Sequence, residues 1–268
     1  MAAVGLLFPG DMGARIGRAA RGDVLWASEG RSSETAERAA SAGFRDVRTL
    51  DRLIAESEVV ISLCPPAVAE DVASAVRERR FGGLYLEGNA IAPGRCERIA
   101  ASLAEAGAQV VDGAVIGSNQ LRLYLSGDSD QVTRAAQLFT DSDVATIPLA
   151  GAIGAASALK MAFGGWNKAG IALTAQAYAI ARAYGVDDAL ADMGVDSERI
   201  LRAGEKAWRW TPEMLEIADT CTRLGVPDGL ARGAAEVFSR WVSRRDQPTG
   251  LDELLDDLSH EGTGAPPR

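Results

Sequence analysis

Short apolar runs recur through the first half of the chain, at residues 4–8, 23–27, 59–63, 84–86 and 110–111. Between them lie Ala- and Arg-rich segments of helical period, such as residues 35–42 and 66–79. Strands that alternate with helices predict a parallel sheet covered on both faces. Residues 121–126 then alternate apolar with polar, the period of a half-exposed strand near a sheet edge. Residues 144–147 complete the expected strands.

Beyond residue 149 the strand signals stop. No proline interrupts residues 154–184, which read as one long helix. Thr211, Pro212 and Glu213 offer an N-cap, a proline for the first helical position and an early acid. Asp228, after Pro227, is placed to cap a helix running to about residue 244. Gln247-Pro248-Thr249-Gly250 breaks the chain before a last acidic helix at 251–258. The fold class expected is α/β: a doubly wound N-terminal domain over residues 1–149, followed by an all-helical domain over 150–258. Residues 259–268 are expected to form a disordered tail.

A hydrophobic content of 47% supports a sizeable core, and the net charge of −9 argues against nucleic acid and anionic membranes as partners. No apolar run approaches the roughly 20 residues that span a bilayer. The N-terminal stretch lacks a signal-peptide pattern. Cys64, Cys96 and Cys221 are scattered without metal-ligand spacing, so a reducing cytoplasm and no metal site are expected. The single histidine, His260, removes histidine triads and histidine-ligated metals from consideration.

Directly after the first strand come Gly10, Asp11, Met12 and Gly13, then Gly17. A dinucleotide-binding turn needs little side chain here, so that the backbone can approach a pyrophosphate seated on the following helix N-terminus. Phe8 occupies the position of the usual first glycine. At the tip of the second strand no acid stands at Ala27 or Ser28, while Arg31, Ser32 and Ser33 make a clamp for a 2′-phosphate. NADP is therefore favoured over NAD, with Glu29 the contrary feature. Plain N-cap serines in a solvated loop are the structural alternative. Leu63, Cys64 and Pro65 fall where a strand end approaches the cofactor ribose, with Cys64 a small pocket-shaping residue.

In this order the motifs resemble the superfamily of β-hydroxyacid dehydrogenases and 6-phosphogluconate dehydrogenase. The Gly10–Gly13 turn carries Met12 before its last glycine, as that superfamily prefers. The segment from Glu87 to Pro93, with Asn89, is similar to the one that lines the nicotinamide. The segment from Val111 to Ser118 resembles the substrate loop, implicating Gly117, Ser118 and Asn119 in substrate binding. Gly151, Gly154 and Lys160 resemble the motif of the catalytic lysine. Lys206-Ala207-Trp208-Arg209-Trp210 is similar to a branch of NADP-binding oxidoreductases with a short helical C-terminal domain. Three departures stand out: Phe8 for a glycine, Ile116 for a serine of the substrate loop, and Phe163 or Gly164 for the asparagine one turn after the lysine. Asn167, a turn further on, is a candidate replacement.

On the long helix Ser157, Lys160, Gly164, Asn167, Ile171, Thr174 and Tyr178 form one narrow stripe in an otherwise apolar surface. That pattern predicts a buried helix with a functional groove. A desolvated lysine can pass a proton to or from an alcohol or carbonyl. The resemblance implies a hydride transfer between NADP and a small polar hydroxy or keto substrate at the cleft between the domains, with Lys160 as general acid/base, in a homodimer formed through the helical domain. Imine reduction and a catalytically silent NADP-binding protein are the alternatives.

Overall fold

The computed structural model describes residues 3–245 and 247–259. It divides into two compact units, Met1–Met161 and Ala162–Arg268. The first unit is built on a sheet of eight strands among the described residues: β1 (Ala3–Leu7), β2 (Asp23–Trp26), β3 (Arg45–Asp46), β4 (Val59–Ser62), β5 (Leu84–Glu87), β6 (Gln109–Ile116), β7 (Arg122–Gly127) and β8 (Ala145–Pro148). Their spatial order is β3-β2-β1-β4-β5-β6-β7-β8. Neighbours run parallel except for the antiparallel β6–β7 pair. The order reverses between β1 and β4, which opens the crevice where doubly wound sheets bind ligands.

The helices α1 (Asp11–Ala19), α2 (Ser33–Ser41), α3 (Leu50–Glu56), α4 (Ala69–Glu78), α5 (Pro93–Ala104) and α6 (Ser129–Gln137) connect the strands. Two buried cores flank the sheet. Val4, Leu6, Ile16, Ile61, Leu86 and Leu125 belong to one, and Leu7, Leu25, Val60, Tyr85, Ile91 and Cys96 to the other. β1, β4 and β5 are buried on both faces, which is why they read as continuous apolar runs rather than alternating ones.

The long helix α7 (Ala155–Ala183) begins in the first unit and continues into the second. The expected domain limit was residue 149. The compact units divide twelve residues later, because the first turn of α7 is bonded to strands β6 and β7 of the sheet unit. In the second unit follow α8 (Asp187–Asp192), α9 (Glu198–Gly204), α10 (Trp210–Leu224), α11 (Gly229–Arg240) and α12 (Leu251–Ser259). α10 starts one residue before Thr211, and the buried Thr211 hydroxyl makes no hydrogen bond among the described residues, so it is not the cap. Asp228 occupies the N-cap position of α11 without a side-chain capping bond; its carboxylate instead takes Thr222 Oγ1 at 3.0 Å and Arg232 Nε at 2.7 Å. α11 stops at Arg240, short of the expected residue 244, and a 3₁₀ turn follows at Val242–Arg244. Trp241, fully buried, donates from its indole to the Leu254 carbonyl at 2.9 Å, fastening α12. The expected tail lies, beyond Ser259, outside the described residues.

α7 differs from its expectation in one respect. Its stripe from Ser157 to Tyr178 faces inward, with Ser157, Ile171 and Tyr178 buried and Lys160, Asn167 and Thr174 half-buried. Its large apolar residues do not. Trp166 is 74%, Leu173 66% and Ile180 59% exposed, so the helix is not buried around its girth.

Candidate active site

The turn after β1 is shaped by contacts that only glycine permits. A Cβ on Gly13 would lie 2.3 Å from the Phe8 carbonyl oxygen, whereas one on Gly10 would meet nothing within 4 Å. Gly10 is thus the open side of the turn and Gly13 the closed one. Gly10 is the N-cap of α1 and offers no side-chain acceptor to the first amides, which leaves that end suited to an anion. Asp11 is exposed in the first turn, and Met12 is half-buried against the core. Phe8 has a left-handed backbone, with φ of 66°, a conformation that favours glycine.

Beside this turn lies a cavity of about 260 Å³ whose lining includes Leu6, Phe8, Ala27, Arg31, Leu50 and Val72. Glu29 and Asp71 also border it. The Arg31 guanidinium stacks on the Phe8 ring, 3.7 Å from its centroid, and partial burial lowers its pKa. Ser32 caps α2, accepting from the Thr35 amide at 3.3 Å, with its hydroxyl exposed.

At the ends of β4 and β5 the segments containing Cys64 and Asn89 are tied together. Asn89 accepts from the Cys64 amide at 2.6 Å and donates to Ser62 Oγ at 3.1 Å. Its own amide donates to Glu87 Oε1 at 3.0 Å. Burial, and secondarily the Glu87 charge, push the Cys64 thiol up to about 12, so it is no nucleophile at neutral pH. Leu63 is half-buried and Pro65 exposed.

Asp112 on β6 is the anchor that sequence reasoning undervalued. It is fully buried and takes four hydrogen bonds: from the Gly154 amide at 2.9 Å, the Ser157 amide at 3.0 Å, Ser157 Oγ at 2.7 Å and Ser126 Oγ at 3.1 Å. A carboxylate at a helix N-terminus satisfies amides that have no partner within the helix. The aspartate just after an apolar run was the available signal. The anchor fixes the start of α7, and three residues on from Ser157 the Lys160 amine donates to the Val115 carbonyl at 2.8 Å.

Lys160 is half-buried rather than enclosed. Val115 lies two residues before the exposed loop of Gly117, Ser118 and Asn119. Gly117 has φ of 114°, and a Cβ there would lie 2.2 Å from the Gln120 carbonyl oxygen, so the loop requires glycine. In the second unit Asn167 accepts from Arg199 through its side-chain oxygen at 2.8 Å and its carbonyl at 3.2 Å.

Comparisons with known proteins agree with this architecture. A family model described as "Domain of unknown function (DUF1932)" matches residues 181–241. No curated protein matches the chain in sequence. Among solved structures, the 3-hydroxyisobutyrate dehydrogenase of Mycobacterium tuberculosis with L-serine is similar at 18% identity and a TM-score of 0.75, over 96% of this chain and 99% of that one. The conserved protein MTH1747, described as structurally similar to 3-hydroxyacid dehydrogenases, matches at 22% identity and a TM-score of 0.69, over 92% of this chain and 100% of that one. Psf3, solved with NADP+ and 2-OPP, matches at 17% identity and a TM-score of 0.64, over 95% of this chain and 99% of that one. The chain therefore has the fold of these dehydrogenase-like structures, and its residues 181–241 match the DUF1932 model.

Proposed function

We propose that the chain is an NADP-dependent oxidoreductase that moves a hydride between the nicotinamide and a small polar hydroxy or keto substrate, with Lys160 as general acid/base. The carrying observation is the Lys160 amine held 2.8 Å from the Val115 carbonyl, beside the Gly117–Asn119 loop and in the same unit as the open glycine turn.

Gly10 and Gly13, with Asp11 and Met12 on the first turn of α1, hold the pyrophosphate. Arg31 and Ser32 take the 2′-phosphate, and the stack on Phe8 keeps the guanidinium in place for it. Leu63, Cys64, Pro65 and Asn89 line the ribose and nicotinamide. When bound, NADP supplies or accepts the hydride. Lys160 takes the proton from a substrate hydroxyl, or returns it to a carbonyl oxygen, while the Val115 carbonyl orients the amine. Gly117, Ser118 and Asn119 hold the substrate's polar end. Asn167 is the weaker member: its oxygen is engaged by Arg199, which leaves its amide NH₂ to offer. The exposed face of α7 supports a homodimer, and the unpaired cysteines fit a reducing compartment.

The test measures cofactor binding and turnover over a panel of small hydroxy acids, ketones and imines. NADPH should bind tighter than NADH, and Arg31→Ala should remove that preference. Lys160→Met should lose about 10²–10⁴-fold in kcat with unchanged NADPH affinity. Turnover that survives Lys160→Met defeats the lysine's role, and a preference for NADH defeats the cofactor assignment.

A further inference from the structure

Glu87 is a charged-type residue where the fold offers almost no solvation. It is 1% exposed, at the carboxyl end of β5. Its Oε1 receives one hydrogen bond, from the Asn89 amide at 3.0 Å, and its Oε2 receives none among the described residues. The strand register sets it directly against Asp112, itself fully buried. Asp112 takes four hydrogen bonds that hold a negative charge, whereas among the described residues Glu87 is held by Asn89 alone. Two adjacent carboxylates in a dry site do not both ionise, and the poorly solvated one keeps its proton.

Among the described residues the groups around Glu87 are mostly neutral ones, with Arg95 the cation that acts on it. Cys64 after β4, Tyr85 on the same strand and Cys96 on α5 are buried, and burial pushes each upward, so all stay neutral in the same pH range. Arg95, on α5, exerts a weaker attraction on Glu87, and its guanidinium bonds the Pro66 carbonyl at 2.9 Å and Glu70 at 3.0 Å. Glu87 in turn supports Asn89, which holds the Cys64 amide and Ser62.

We propose that Glu87 is a positioning residue of the nicotinamide pocket, held as a neutral carboxylic acid so that the Asn89 clamp across the ends of β4 and β5 stays closed. This rests on reading the segment around Asn89 as the nicotinamide wall. Burial, with the charge of Asp112 adding to it, raises the Glu87 carboxyl to about 8. Above that pH the carboxylate keeps the Asn89 amide but is left unhydrated beside the Asp112 charge, and the clamp opens to hydrate it. At pH 9 about a tenth of the molecules keep the neutral form, so the apparent Kd for the cofactor rises about tenfold.

The experiment is calorimetric titration of wild type and Glu87→Gln with NADPH from pH 7 to 9.5, paired with infrared measurement of the protonated-carboxyl band in the free protein. Glu87→Gln mimics the neutral acid. It should bind as wild type does at pH 7 and stay level to pH 9, while wild type weakens about tenfold. The wild-type infrared band should fade over the same range and be missing from Glu87→Gln. Equal pH dependence in both proteins, or a wild type without that band at pH 7, overturns the proposal. Should Glu87→Gln fail to fold, the wild-type band decides alone. Binding that is tight but level with pH in wild type sinks only this inference; no binding of NADPH or NADH by either protein at any pH sinks the cofactor reading and this inference with it.

Discussion

Phe8 and Asp112 show how single residues set the site. Phe8 stands where a dinucleotide turn has glycine, yet its backbone holds the left-handed φ of 66°. That conformation costs an ordinary residue roughly 1–2 kcal/mol. The aromatic ring offsets the cost with a platform for Arg31, so the departure from the motif keeps the turn and adds a wall to the cavity. Asp112 works in the opposite way, with no strain and every contact satisfied. Asp112→Asn keeps the shape but turns one acceptor oxygen into a donor facing amides and hydroxyls. The variant should lose about 3–5 kcal/mol of stability in urea unfolding, the scale of breaking a buried charged network. Loss below about 1 kcal/mol would mean that the start of α7 is held by packing alone.

At the scale of elements, the legible parts were those whose burial is uniform. β4 and β5 are buried throughout and β1 from Val4 onward, and they read directly from apolar runs. β6 read as only residues 110–111, because Asp112 and Gly113 interrupt the apolar run. Both are buried, the first by its four donors and the second by Leu86 and Leu123, which a Cβ would crowd. β3 was missed because Arg45 and Asp46 are exposed and give no apolar signal; the ladder to Leu25 and Trp26 and the ion pairs of Arg45 with Asp23 and Glu56 hold them. Of the candidate site, the glycine turn and Lys160 were legible as motifs. The Asp112 anchor and the Glu87–Asn89–Cys64 clamp were not, since each joins residues on different strands. α7 also carries a second lysine with another role. Lys168 pairs with Glu213 at 2.6 Å, and their side chains are only 13% and 14% exposed. Glu213→Gln should destabilise the helical unit by about 3–5 kcal/mol in thermal unfolding, because a buried ammonium is left without its partner. Lys168→Met combined with Glu213→Leu should recover most of that loss. If the double variant is no better than the single one, the pair serves more than its own neutralisation.

Among the described residues a line of exposed apolar side chains runs along α7. Phe163, Trp166, Leu173 and Ile180 are exposed, as is Tyr184 just past the helix end, and Gly170 and Ala177 fall between them on the same face. The line is about a third of a turn from the stripe that carries Lys160. Large side chains alternating with small ones along about 27 Å of helix suit a matching helix rather than a small ligand. A second copy of the chain brings such a face by two-fold symmetry. It also brings a net charge of −9. Apolar contact must therefore outweigh mutual repulsion, which salt screens. Sedimentation equilibrium should show a dimer that tightens from about 50 mM to 500 mM salt, where screening lengths fall well below molecular size. Leu173→Glu with Ile180→Glu should give a monomer of unchanged helix content, because both residues are exposed in the single chain. A dimer that loosens with salt would place charged pairs at the interface. One that survives both substitutions would move the interface away from this face of α7.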